Sequence, residues 1–97
     1  MNGITLTSVN FTWDPRKASS NVKKHGVAFD EAATVFADPL ALAIEDSIDP
    51  GRTLLLGLSM RARILVVVHV EIDGATIRII SARRATSHER RRYEEGD

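Results

Sequence analysis

Cysteine is absent from all 97 residues, which excludes a disulfide framework and any thiolate metal site. No apolar run approaches the ~20 residues that a membrane helix needs. Residues 1–10 lack a basic stretch followed by an apolar block, so no secretory signal is read there. There is no Gly-rich phosphate loop, no HExxH and no Ser or Cys nucleophile context. The three histidines show no ligand spacing, so neither a metal nor a cofactor is expected. Internal repeats and low-complexity linkers are missing too. What is present is 43% hydrophobic and 27% charged, enough for one small core with a wetted surface. The expectation is one cytoplasmic domain over 1–97, with residues 1–10 either disordered or ordered.

Net charge is formally zero, which argues against a nucleic-acid partner until the halves are separated. Residues 1–51 hold seven acids and four bases, whereas residues 52–97 hold nine arginines and six acids. Arginine suits bidentate phosphate contacts, and a dipolar domain can meet partners of opposite charge on different sides. The plainer account is a solvated surface of mixed sign.

Asp14-Pro15 predicts a helix start behind the short strand Phe11–Trp13, because Asp caps and Pro lacks the N–H that would go unbonded. His25-Gly26 predicts its end. Phe29, Ala32, Ala33 and Phe36 recur at i, i+3, i+4 and i+7, one face of a second helix, with Asp30 as its cap and Asp38-Pro39 as its stop. Four strands follow, at 40–44, 53–58, 64–72 and 76–82, with Asp73-Gly74 as a hairpin turn. Thr86-Ser87-His88-Glu89 has the pattern of a capping box and predicts a short final helix. The expected class is α+β: a small antiparallel sheet, two N-terminal helices and a short C-terminal helix.

A tight turn at Asp73-Gly74 would pair Glu71 with Thr76 and His69 with Arg78. Alternation would then put Ile64, Val66, Val68 and Val70 under the helices, leaving His69, Glu71 and Arg78 together on the open face, with Arg63 and Arg84 farther along. Cutting RNA without metal requires a base, an acid and fixed cations, and this set contains all three kinds of group. A cross-strand cluster formed for pairing alone is the alternative. His25 reads as a helix-terminal cation, Trp13 as a packing residue and Arg90-Arg91-Arg92 as a solvated helix face. Tyr93 is either a general acid or the anchor of the last helix.

Several segments resemble the BrnT toxin family: Phe11-x-Trp13-Asp14-Pro15-x-Lys17, Asn21-x-x-Lys24-His25-Gly26-Val27-x-Phe29, Ala32-Ala33-x-Val35-Phe36-x-Asp38-Pro39, and Ile77 to Ala85 with Glu89 and Tyr93. The resemblance implies a RelE-like ribonuclease toxin of a type II toxin–antitoxin pair, an enzyme that cleaves RNA and blocks translation. It implies a cognate BrnA-like antitoxin, operator DNA met only through that antitoxin, an RNA substrate and no membrane; a homodimer is left open. Relatives often carry a His and a Glu-Arg pair between the second and third strands; here the segment is shorter, Asp46 to Arg52, with Arg52 retained. Arg78, His69, Glu71 and Arg63 are the catalytic candidates, with Arg78 first. Arg52, Arg61, Arg83, Arg84 and Lys24 are the RNA-binding candidates. The alternative is a catalytically silent module whose Arg-rich half docks a protein or nucleic acid.

Overall fold

The computed structural model describes residues 2–6 and 9–96. In chain order the elements are β1 (Asn2–Leu6), β2 (Val9–Trp13), α1 (Pro15–His25), α2 (Phe29–Thr34) running into a 3-10 turn (Val35–Ala37), β3 (Leu42–Glu45), β4 (Thr53–Leu58), β5 (Ile64–Asp73), β6 (Thr76–Arg84) and α3 (Ser87–Glu95). The strands form one sheet in the order β1-β2-β6-β5-β4-β3. The α+β class holds, but the sheet is mixed rather than antiparallel throughout, because β2 runs parallel to β6. Within residues 1–10, Asn2–Leu6 and Val9–Asn10 lie in strands. Met1, Thr7 and Ser8 lie outside the described residues.

Local chemistry sets the helix ends. Asp14 Oδ1 accepts from the Arg16 N–H at 2.8 Å, with Pro15 opening the helix, and Gly26 closes it at φ 69°, where glycine is unstrained. Asp30 is not a cap: Ala28 holds that position, without a side-chain bond, and Asp30 lies in the first turn. The strand predicted at 40–44 starts later than expected, at Leu42. Asp38 Oδ1 takes the Leu40 N–H at 2.9 Å and holds that segment in a turn. Gly57 lets the 3-10 turn come close, since a Cβ there would stand 2.9 Å from both Val35 Cγ1 and Ala41 Cβ.

The main core lies between the sheet and helices α1 and α2. Phe11, Trp13, Phe29, Val35, Leu65, Val67 and Ile79 are buried in it, with Phe36 packed against it. Trp13 meets Phe29 edge-on at 5.9 Å, so its expected packing role is filled. Asn21 is buried and tied to the sheet: its Nδ2 donates to the carbonyls of Ala82 (2.8 Å) and Val27 (2.9 Å), and its Oδ1 accepts the Ala82 N–H (3.1 Å). Leu56 and Val66 are fully buried outside this cluster. They are register partners, and alternation points them to the opposite sheet face, where α3 packs against β4.

The β5–β6 register departs from the expected one. Asp73 pairs with Thr76, Glu71 with Ile77, Val70 with Arg78, and His69 with Ile79. Asp73 Oδ1 accepts the Ala75 N–H at 2.9 Å, so Asp73 ends its strand and Gly74-Ala75 form the loop. Register shifts then fall at Glu71/Asp73 and at Val68/His69, bulging Ile72 and Ile80. The Ile80 bulge lets both Ile79 and Ala82 face the core. The parity of β5 is therefore inverted: Leu65, Val67 and His69 face the helices, and Ile64, Val66, Val68 and Val70 face away.

Candidate functional site

The predicted cluster of His69, Glu71 and Arg78 does not assemble. His69 is 8% exposed, edge-on to Phe36 at 4.8 Å, with Nδ1 3.3 Å from the Val67 carbonyl. Burial pushes its imidazole below the usual histidine range, against the opposing pull of the Val67 carbonyl and Glu71. It is a neutral core histidine. Glu71 is exposed and pairs with Ile77, on the parity of His69, so it leaves the face that carries Arg78.

Arg63 is the second correction. Its Nε donates to Glu31 Oε2 at 2.9 Å, and its Nη2 bonds Glu31 Oε1 and the Gly26 carbonyl. Glu31 is 4% exposed and also accepts from Ser59 Oγ at 2.6 Å. Arg63 holds the Glu31 carboxyl below its ordinary range against the effect of burial, with Ser59 helping. Thr34 Oγ1 accepts the Met60 N–H at 2.9 Å, so the whole β4–β5 turn is clamped to α2. Glu31 and Ser59 went unnoticed in the sequence, because nothing local pairs residues 28 and 32 positions apart. Arg63 first holds the turn in place.

Several of the remaining arginines form two groups. Arg83 forms a bidentate pair with Glu89, at 2.7 and 2.9 Å, while Glu89 completes the expected capping box with Thr86. The Arg83 guanidinium holds the Glu89 carboxyl down at about 2. Tyr93 donates to Asp38 Oδ2 at 2.6 Å, which with burial raises the phenol to about 12; this fits the anchor and not the acid. Burial works to raise Asp38, but the bonds from Tyr93, Leu58 and Leu40 hold it lower. These contacts latch α3 across the sheet.

Arg78 stands apart. It pairs with Val70 on one side and Thr12 on the other, on the face away from α1 and α2. Among the described residues its side chain makes no ion pair or hydrogen bond. Six residues farther along β6, on the order of 20 Å, Arg84 lines a cavity of about 280 Å³ with Ala62, Arg63, Ile64 and Arg90. The predicted residues Arg63 and Arg84 therefore do meet, joined by Arg90, which looked like a plain solvated face. Its signal was its place one residue after the cap Glu89. Arg52 lies near Asp49 (3.4 Å) in the β3–β4 loop, Arg61 is exposed in the β4–β5 turn, and Lys24 is exposed at the end of α1. These three join neither group.

The arrangement offers fixed and free cations suited to phosphate, on a mixed sheet flanked by helices. The family described as ribonuclease toxin BrnT of type II toxin–antitoxin systems matches residues 13–89. The crystal structure of the Brucella abortus ribonuclease toxin BrnT is similar in fold, with a TM-score of 0.66 at 22% identity over 79% of this chain and 96% of that one. No curated protein matches the chain. The matched span runs from Trp13 in the core to Glu89 at the α3 cap and takes in most of the sequence; the chain belongs to the BrnT family of ribonuclease toxins.

Proposed function

We propose that the protein is a metal-independent endoribonuclease that cleaves cytoplasmic RNA, blocks translation and is held inactive by a BrnA-like antitoxin. The observation that carries this is the uncompensated Arg78 guanidinium on the sheet, in a chain of a ribonuclease toxin family. Arginine keeps its charge at every working pH, so Arg78 would stabilise charge developing on the phosphorane. His69 is withdrawn from proton transfer, and Glu71, which leaves the face that carries Arg78, is withdrawn with it. The Arg-rich half would draw an acidic or strand-forming segment of the antitoxin, since opposite charge speeds encounter.

One observation favours the second reading, a silent binding module: the register separates Arg78 from both His69 and Glu71. Excess RNA incubated with purified protein in a chelator distinguishes the two. Cleavage at substoichiometric protein supports the nuclease; retardation or protection of intact RNA supports the module. Induced expression with and without the neighbouring gene, scored for growth and RNA integrity, tests the antitoxin.

A further inference from the structure

The cavity at the end of the sheet has a chemistry that Arg78 does not share. It forms where the β4–β5 turn meets the β6–α3 link, which are joined by the bond from the Ala85 N–H to the Ile64 carbonyl at 2.9 Å. Arg63, Arg84 and Arg90 line it from the turn, the strand end and the helix. Among the described residues the single acid bound to any of them is Glu31, through Nε and Nη2 of Arg63. Nη1 of Arg63 makes no hydrogen bond among the described residues, and neither does the guanidinium of Arg84 or Arg90. Three arginines thus line one space, with one carboxylate bound to them among the described residues.

Two features mark it as built. The Arg63 fork is held by Glu31 and the Gly26 carbonyl, so it presents its free edge without further ordering. Ala62, on the cavity wall, is the sole described non-glycine residue at positive φ, 60°. Strained backbone of this kind persists where the surroundings over-determine it, and it clusters at ligand sites. At ~30 Å³ per water the space holds roughly nine waters, room for one phosphate and part of its hydration.

We propose that this cavity is a phosphate-binding subsite, gripping the RNA backbone well away from Arg78 through Arg84, Arg90 and the free edge of Arg63. The inference rests on the RNA substrate proposed above; phosphate binding itself does not. The test uses the Arg84→Gln/Arg90→Gln double variant and Arg16→Gln as a control on α1. Affinity for a 2′-O-methyl RNA oligomer, which cannot be cut by 2′-OH attack, is followed by fluorescence anisotropy across a salt series. Each phosphate contact contributes a slope of ~0.7 in log affinity against log salt for single strands. The double variant should lose roughly that slope and bind several-fold more weakly, while Arg16→Gln keeps both. Inorganic phosphate should shift the Arg84 and Arg90 side-chain resonances in wild-type protein.

Unchanged slope and affinity in a folded double variant that still binds RNA would overturn the subsite and leave the ribonuclease reading intact. Phosphate-induced shifts at Arg84 and Arg90 without RNA binding would support the cavity and sink the substrate. Equal losses in Arg16→Gln would show bulk charge at work and overturn the proposal.

Discussion

His69 sets its imidazole edge-on against the ring of Phe36, 4.8 Å between centroids, beneath the helices and not beside Arg78. Its folded-state pKa is depressed by burial, so protonation favours the unfolded chain. Stability is fully present above the unfolded value, ~6.5, and falls as pH drops below it. His69→Leu should flatten the change in melting temperature between pH 7.5 and 5.5. An unchanged slope would place the responsible group elsewhere.

Arg63→Ala leaves the Glu31 carboxylate buried without its partner, a change that typically costs ~3–5 kcal/mol. Urea unfolding should show a loss of that order. Replacing the pair together, Glu31→Gln with Arg63→Met, should recover part of it. A mild effect of Arg63→Ala would mean that Glu31 finds water or another donor.

Arg78→Ala should leave stability within ~0.5 kcal/mol, as an unpaired side chain on a sheet face. RNA cleavage should nonetheless fall by roughly 10²–10³-fold, the usual effect of removing one donor to developing charge. Full activity in the folded variant would remove Arg78 from the mechanism.

The Arg83–Glu89 bond makes α3 sensitive to acid. Glu89 is lowered from 4.5 to about 2, so its stabilising effect is complete above 4.5 and lost as pH falls through 2. The Arg83 side chain is 38% exposed, so solvent screens the pair and the gain is small. Protection factors of the α3 amides, taken relative to intrinsic exchange, should fall between pH 4.5 and 2, and Glu89→Gln should already lower them at pH 6. Protection that stays flat with pH would show that Tyr93 and the apolar contacts hold α3 alone.

Ala62→Gly should stabilise the protein by ~0.5–1 kcal/mol. An alanine at φ 60° carries ~1–2 kcal/mol of strain that glycine relieves, offset in part by glycine's freer unfolded chain. Thermal melting checks the sign.

Helix caps were legible because their signals are local: Asp14-Pro15, His25-Gly26 and Thr86 with Glu89 each act within one turn. The strand 53–58 was legible for the same reason, from its run and its flanking turns. Strand β5 was legible as a strand, but its facing was not, because Ile64 to Val70 is apolar at nearly every position. Its residues are covered by α1 and α2 on one face and partly by α3 on the other, and alternation carries no information in such a strand. Two bulges and an Asx turn then moved the register by steps that no period reveals. The bond from Arg63 to Glu31 was not legible either, because the two lie 32 positions apart.

The parallel seam between β2 and β6 has a temporal meaning. Phe11 must find Ile77, and Thr12 must find Arg78, across more than sixty positions of chain. A ribosome adds ~5–20 residues per second, so β2 waits for several seconds with its neighbour still unmade. Contacts of such separation also slow folding itself. The β2–β6 seam therefore cannot close until Ile77 and Arg78 have been made, and only then does Arg78 take its place beside Thr12.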